Sequence, residues 1–512
     1  MEEKKIICPY CFAEFNHDEV LFRSETFFFE EDIEDKDDIL DIADQTERAN
    51  ALEEYNKKMR FKVGVSSKYD RYWSRFNGTT EKTRRKSGAR NAAQNIDNYQ
   101  KPIINPKDSS VVRFNNQNKT GVEFDRDGFL SSIDDVYGRH SNSRVCPECH
   151  NPLPQNYGKY PVKFISIIGI TNAGKTVYLS SLLDNVLDYM DKIGITPYQS
   201  DSVDFFIELN KIKKGTVLPQ GTSTQQMCQP LCFNLQYFDS RTHKDTKTTF
   251  VIYDIAGENC TSSEAVVNFG DFIRHSDGII ILEDPNQFKG IYDDEKQTMV
   301  DSVLGTINDL FIGKKYCDIP TAVCISKSDI LMSDNMFSQI LEAKLREPVR
   351  SAEDINGFNA KDYNDISKLL DSFYFDHDKP TRTALKNSFN NYNYFAVSAL
   401  NCKLEPSNEI DGNGKSLYVP AERPHPMRIE EPLYWMFTQF GFIDSDIEIT
   451  NHAIVGDLEK LNAALDQLQD EKSKVGGIGL FKKRRINDLD KQISEIEATI
   501  KEKINTVNHK PY

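Results

Sequence analysis

Apolar residues along this chain fall into distinct regimes. From residue 161 to about 447, short β-branched runs alternate with stretches of helical spacing. VKFISIIGI (162–170) has the β-branched, mostly apolar character of a strand buried on both faces. TVYLSSLLDNVLDYM follows, with Leu179, Leu182, Leu183, Val186, Leu187 and Met190 recurring along one helix face. Further strands are predicted at LCFNLQYF (231–238), TTFVIYDI (248–255), GIIIL (278–282), TAVCIS (321–326) and YFAVS (394–398). Helical patterns lie between most of them, which predicts an α/β fold around a mostly parallel sheet. Residues 330–392 read as a long insertion, with helices at MFSQILEAKLRE and DISKLLDSF.

The flanks differ. Near the C-terminus, Leu458, Leu461, Leu465 and Leu468 precede the breaker VGGIGLFKKRR, and Ile486, Leu489, Ile493, Ile496 and Ile500 follow it. Steps of three and four around a Gly-Gly turn predict an antiparallel coiled-coil hairpin over 450–512. At the other end, residues 26–143 begin acidic (EEDIEDKDDILDIAD) and turn polar. DIADQTERANALEEYNKKM is expected to be helical there, and the remainder partly mobile. The divisions are therefore 1–25 with 144–160, an insertion at 26–143, a central domain at 161–447, and the hairpin.

At 512 residues the chain is long enough for more than one domain, and 31 Phe and 22 Tyr supply core. A net charge of −16 opposes general nucleic-acid binding and association with anionic membranes. The clusters Arg84-Arg85-Lys86 and Lys482-Lys483-Arg484-Arg485 are local exceptions. No apolar run reaches the roughly 18–20 residues that span a bilayer, and MEEKK is unlike an export signal. Ten cysteines then suit a reducing compartment, so a soluble, cytoplasmic protein is expected.

Gly169-Ile170-Thr171-Asn172-Ala173-Gly174-Lys175-Thr176 fits G-x-x-x-x-G-K-S/T, after a buried strand and at the head of an amphipathic helix. Glycines let the backbone wrap a phosphate, and the N–H groups of Asn172, Ala173, Gly174 and Val177 are candidate contacts. Lys175 is placed for β- and γ-phosphates, and Thr176 for Mg²⁺. FVIYDI ends in Asp254-Ile255-Ala256-Gly257-Glu258, which offers an acidic Mg²⁺ partner in Asp254 and a γ-phosphate-facing N–H at Gly257. Taken alone, D-x-x-G is also an ordinary turn.

TAVCIS runs into Lys327-Ser328-Asp329. Guanine presents N1–H and an amino group, so a carboxylate at Asp329 that accepts both would favour it over adenine, with the Lys327 stem across the purine face. Ser398-Ala399-Leu400 supplies a second loop, where the Ala399 N–H can meet O6. SKSD alone is a plain turn, and the upstream motifs reverse that reading.

These pieces, in this order, resemble the Ras-like (TRAFAC-class) P-loop GTPases over about residues 160–445. GKTVYL and RIEEPLYWMF are further similar to bacterial zinc-knuckle-headed GTPases of the double-GTPase type. The resemblance implies a six-stranded, mostly parallel sheet, GTP/GDP with Mg²⁺ as cofactors, and hydrolysis of GTP as a molecular switch. It also implies a switch threonine before LCFNLQYF, for which Thr222 is the candidate ahead of Thr224. Ser326 stands where relatives carry Asn or Thr, a departure that weakens support of the phosphate loop. Glu258 stands where many place a water-orienting Gln, and a carboxylate beside γ-phosphate predicts slow intrinsic turnover. Lys175, Thr222, Gly257 and Glu258 are thus the expected catalytic group.

C8-P-Y-C11 and C146-P-E-C149 form two matched C-x-x-C knuckles. Four thiolates in two pairs suit a closed, structural Zn²⁺ site, here a ribbon with a large insertion. A redox pair would need a thioredoxin-type strand–helix setting, which is absent. Protein partners are expected through the ribbon insertion or the hairpin, and self-association is open. The apolar and basic hairpin tip reads more simply as a folded-back loop than as a membrane contact. Two rival functions stand beside the switch: a nucleotide-gated assembly protein with slow or absent hydrolysis, and a P-loop ATPase.

Overall fold

The computed structural model describes residues 5–74, 100–108, 110–111, 121–169, 173–200, 218, 230–239, 243–256, 270–290, 300–311, 317–347, 351–352, 357–358, 360–410, 416–443, 461–476 and 480–508. Its centre is a sheet whose strands run, in spatial order, Ile195–Ser200, Leu231–Asp239, Lys244–Ala256, Val162–Gly169, Gly278–Glu283, Thr321–Ile325 and Tyr392–Ala396. The last five pair in parallel, and the first two join through antiparallel ladders. Among the described residues the sheet therefore has seven strands, where six were expected. The additional strand, ITPYQS, is short, polar and contains Pro197. Those features hide a strand in sequence, yet an edge strand tolerates them because one side of its backbone needs no partner.

Val162–Gly169 is the middle strand. Phe164, Ile165, Ile167 and Ile168 are all at most 2% exposed. Both neighbours run parallel to it, and the register sets Ala256 and Leu282 beside Gly169. Three strand ends therefore emerge along one edge. Helix Glu431–Phe440, with Pro432 in its first turn, covers one face of the sheet. Leu433, Met436 and Phe437 are buried there, and Phe437 meets Phe250 edge-on at 5.4 Å.

The insertion after Asp329 is helical as expected, over Gln339–Arg346 and Ala360–His377, with a further helix at Lys379–Ser388. Asp378 caps that last helix by accepting from the Thr381 amide at 3.1 Å. The expected helix near the N-terminus is Gln45–Arg60, capped by Asp44. Two more helical stretches, 461–474 and Leu480–Asn508, are tied by the ion pairs Glu471–Arg485 and Lys472–Asp490, with Leu489 buried. No helix among the described residues is long and apolar enough to cross a membrane.

The N-terminal head is built from short ladders. Lys5–Ile7 pairs with Glu14–Asn16, and Leu21–Arg23 pairs with both Ile103–Ile104 and Arg144–Val145. Its apolar residues are continuous with those of the large sheet. Gly158 shows how tightly it closes. It has φ +83°, and an added Cβ would fall 2.5 Å from Ile6 Cδ1.

Gly158→Ala is accordingly expected to cost about 2–4 kcal/mol, from left-handed strain and overpacking together. Gly138→Ala, at φ +72° but facing open space, should cost about 1 kcal/mol from strain alone. Denaturant midpoints measured side by side check this, and equal losses would show that the Ile6 contact yields freely.

Candidate functional site

The phosphate loop leaves the middle strand at Gly169 and enters helix Lys175–Asp184 through Gly174, which has φ +70°. A Cβ on Gly169 would sit 2.8 Å from Lys175 Cβ, so only glycine lets the chain double back here. Lys175 is 7% exposed, and its Nζ lies 2.8 Å from Asp254 Oδ1. The parallel register, with Asp254 opposite Ile167, brings the carboxylate to the same edge as the loop. Burial raises the Asp254 carboxyl above its ordinary range, against the opposing pull of Lys175. Ala173 is buried, and Thr176 and Val177 are half-buried at the helix start.

The second loop begins where strand Thr321–Ile325 ends. Ser326 donates from its N–H (2.9 Å) and its hydroxyl (2.7 Å) to the Glu283 carbonyl. The hydroxyl is thus spent on a neighbouring strand end rather than on the phosphate loop. Lys327 takes a left-handed conformation, φ +45°. Its stem crosses the phosphate loop, with Cε 3.3 Å from the place a Cβ on Gly174 would occupy, and its Nζ lies 3.2 Å from buried Asp284. The Ser398 hydroxyl donates to Asp329 Oδ1 at 2.5 Å and accepts from the Asn401 N–H at 3.0 Å. Ser181, on the phosphate-loop helix, donates to the Ala399 carbonyl at 2.9 Å. A cavity of about 660 Å³ opens beside Asp329, lined among others by Tyr189, Lys192, Asn401 and Met427.

Gly169, Ala173, Gly174, Lys175, Thr176, Val177, Asp254, Lys327, Asp329, Ser398 and Ala399 are therefore drawn to one end of the sheet. Asn172, Thr222, Gly257 and Glu258 lie outside the described residues. Sequence reasoning missed Glu283, the last residue of its strand. Glu283 is fully buried and accepts the Tyr374 hydroxyl, from the insertion, at 2.7 Å. Burial foremost, then Asp378, pushes its carboxyl well above the usual range. The available signal was an acid directly after GIIIL.

Cys8, Cys11, Cys146 and Cys149 converge, with all four sulfurs within 4.8 Å of one another. Cys8–Cys149 and Cys11–Cys146 stand at 3.7 Å. Metal–sulfur bonds of about 2.3 Å in a tetrahedron place sulfurs about 3.8 Å apart, so the group fits such an ion. Amide groups point at the sulfurs: Tyr10 N to Cys8 at 3.4 Å, Glu148 N to Cys146 at 3.3 Å, and Asn151 Nδ2 to Cys149 at 3.2 Å. Burial raises the Cys8 and Cys149 thiols, while hydrogen bonds from the other three, led by Cys146, lower Cys11.

Residues 163–370 match the family model described as Double-GTPase 2. This segment is a P-loop GTPase domain of the double-GTPase type. The match takes in the phosphate loop, Asp254, Lys327 and Asp329, and leaves the head, Ser398 and the C-terminal helices outside. A curated protein of Mycolicibacterium smegmatis, provisionally named an ESX-1 scaffolding and assembly protein, SaeC, is 23% identical over 159 residues. That alignment spans 29% of this chain and 40% of the relative. Among solved structures, Sup35 complexed with GDP is 11% identical, with a TM-score of 0.21 over 47% of this chain and 38% of that one. The Saccharomyces cerevisiae Ski7 GTPase-like domain bound to GTP is 14% identical, with a TM-score of 0.26 over 55% and 50%. Both scores are too low to bear on the fold.

The raised Glu283 carboxyl gives a pH prediction. Its folded pKa lies above the unfolded one, so its contribution is full below the unfolded range near ~4.3 and is lost as pH rises through the folded value. Glu283→Gln, which stays neutral, should gain stability relative to the parent as pH rises from acid to alkaline, by at least about 1 kcal/mol. Denaturation at pH 5 and pH 9 checks it, and a pH-independent difference would contradict it.

Proposed function

We propose that this protein binds guanine nucleotide with Mg²⁺ and hydrolyses GTP to GDP and phosphate, acting as a nucleotide-dependent switch. The observation that carries the reading is the bond from Ser398 to Asp329, with the Lys327 stem laid across the phosphate loop. It orients the Asp329 carboxylate at the same end of the sheet as Lys175, which supports a base-selective role for it. Lys175 would exchange its contact with Asp254 for phosphate oxygens, which releases Asp254 to hold magnesium through water. Backbone N–H groups from Gly169 to Val177 would cradle the phosphates, and Thr176 would bind the ion. Magnesium, when bound, neutralises charge on the β- and γ-phosphates. Thr222, Gly257 and Glu258 complete the proposed γ-phosphate side, and the Glu258 carboxylate disfavours fast turnover there. Zn²⁺ would be the structural ion of the four cysteines.

A second reading is a nucleotide-gated assembly protein with little turnover. It draws on the local similarity to a protein named for scaffolding and assembly. The head insertion or the C-terminal helices would then contact protein partners or a second copy. Mass in solution, compared in GTP and in GDP across concentrations, separates the two: assembly predicts a nucleotide-dependent increase, and a simple switch does not.

The base assignment is tested by competition of GTP, ATP and XTP against a fluorescent GDP analogue. Asp329→Asn should move preference from GTP toward XTP, since an amide offers a donor where the carboxylate only accepts. Ser398→Ala should weaken guanine nucleotides roughly tenfold without that exchange, because the carboxylate loses its orienting donor. Equal competition by ATP, with Asp329→Asn silent, would leave only a phosphate-binding loop and favour an ATPase.

A further inference from the structure

The head is attached to the nucleotide-binding domain through the loop that carries its first two cysteines. Three carbonyls along that loop accept phenol hydroxyls: Ile7 from Tyr157 (2.8 Å), Pro9 from Tyr253 (2.8 Å) and Tyr10 from Tyr72 (3.1 Å). Tyr253 is the residue before Asp254 and is 1% exposed. Side chains of a strand leave alternate faces, so the same two residues present a phenol to the head and a carboxylate to Lys175.

Phe12, directly after Cys11, adds a second attachment. Its ring meets Phe164 and Tyr253 edge-on at 5.9 Å each and Phe272 at 5.0 Å, and it stacks on His275 at 4.3 Å. Tyr253 precedes the stretch of sequence with Gly257 and Glu258, and Phe272 and His275 follow it. The knuckle thus holds the chain on both sides of that stretch. Its own shape depends on the sulfurs. Tyr10 N–H points at Cys8 Sγ, Phe12 N–H donates to the Cys8 carbonyl at 3.0 Å, and Phe12 sits at φ +57°. As thiolates, four sulfurs this close would repel one another unless a cation sat between them. Without it, repulsion and hydration would pull the knuckle apart and carry the Pro9 carbonyl away.

We propose that Tyr253 is a positioning residue that links the four-cysteine centre to Asp254, so that metal in the head and magnesium–nucleotide at the phosphate loop bind cooperatively. This rests on the nucleotide reading above. Linkage is reciprocal, so one factor must appear in both directions.

The test uses the full chain loaded with zinc. Zinc release to a metallochromic chelator is followed with no nucleotide, with GDP alone, and with GDP plus magnesium. The affinity of a fluorescent GDP analogue is measured on zinc-loaded and zinc-stripped protein. GDP with magnesium should slow zinc release about fivefold, GDP alone much less, and stripping should weaken magnesium-dependent affinity by a similar factor. Tyr253→Phe keeps the ring and removes the bond. It should still bind zinc, lose most of the linkage, and need several-fold more magnesium for half-maximal nucleotide binding, which a purely structural role would not change. Phe12→Leu provides a second perturbation of the same contact and should also reduce the linkage. Equal release rates with and without bound magnesium–nucleotide, or an undiminished linkage in Tyr253→Phe, would overturn the proposal. Failure of the GDP analogue to bind at all would overturn the nucleotide reading, and the proposal with it.

Discussion

The structure depends on one buried strand held between two parallel partners. Val162–Gly169 has no solvent-facing edge, and the registers of its neighbours are fixed by the apolar residues they bury together. In a strand with apolar faces on both sides, a slip of one residue would move every side chain to the other face. That constraint makes the positions of Gly169, Lys175 and Asp254 consequences of packing. Their ion pair lies at the strand ends because the registers put it there. Its desolvation is tolerated because opposite charges are only 2.8 Å apart.

The loop that carries Asp329 depends on the same edge at one remove. Ser326 and Lys327 are anchored to Glu283, the last residue of the adjacent strand, and to Asp284 directly after it. Glu283 is in turn held by Tyr374 from the long insertion. Residues 330–392 are therefore a brace under the loop that carries Asp329, as well as a surface. A comparable tie borders the cavity beside Asp329. Arg428 pairs with Glu431 inside the protein and donates to the carbonyls of Lys344 and Glu347, at 3.2 and 2.9 Å. A buried ion pair adds little net stability, but removing either partner leaves an uncompensated charge, so this contact fixes geometry more than it strengthens the fold.

The N-terminal head follows a different logic. The ladders around its cysteines use strands of only two or three residues, too short to be stable alone. It borrows stability from aromatic packing on the large sheet and from the convergence of four cysteines. Helix Ser67–Trp73, inside the long loop between the knuckles, seals the site: Tyr10 meets Tyr72 and Trp73 edge-on, and Trp73 donates to Asn151 at 2.8 Å. The insertion that separates the cysteine pairs in sequence thus also walls them in.

What the sequence determined by itself was local and periodic. Apolar, β-branched-rich runs at 162–170, 248–255 and 278–282 pointed to buried strands, and the close approach at Gly169 and the left-handed turn at Gly174 are what their spacing already demanded. The matched knuckles likewise announced one centre despite 134 intervening residues, as read between Cys11 and Cys146. Tertiary structure decided what depends on distant partners. The seventh strand, ITPYQS, carries no apolar signature because an edge position asks for none. Ser326 could not be assigned without knowing that a carbonyl of the adjacent strand takes its hydroxyl. Glu283 reads as a surface acid until Tyr374, 91 residues further on, is folded against it. The contact of Tyr253 with Pro9 spans 244 residues. Periodicity reports which face of an element is buried; it carries no information on which remote group completes a hydrogen bond, and that is where the candidate site acquired its geometry.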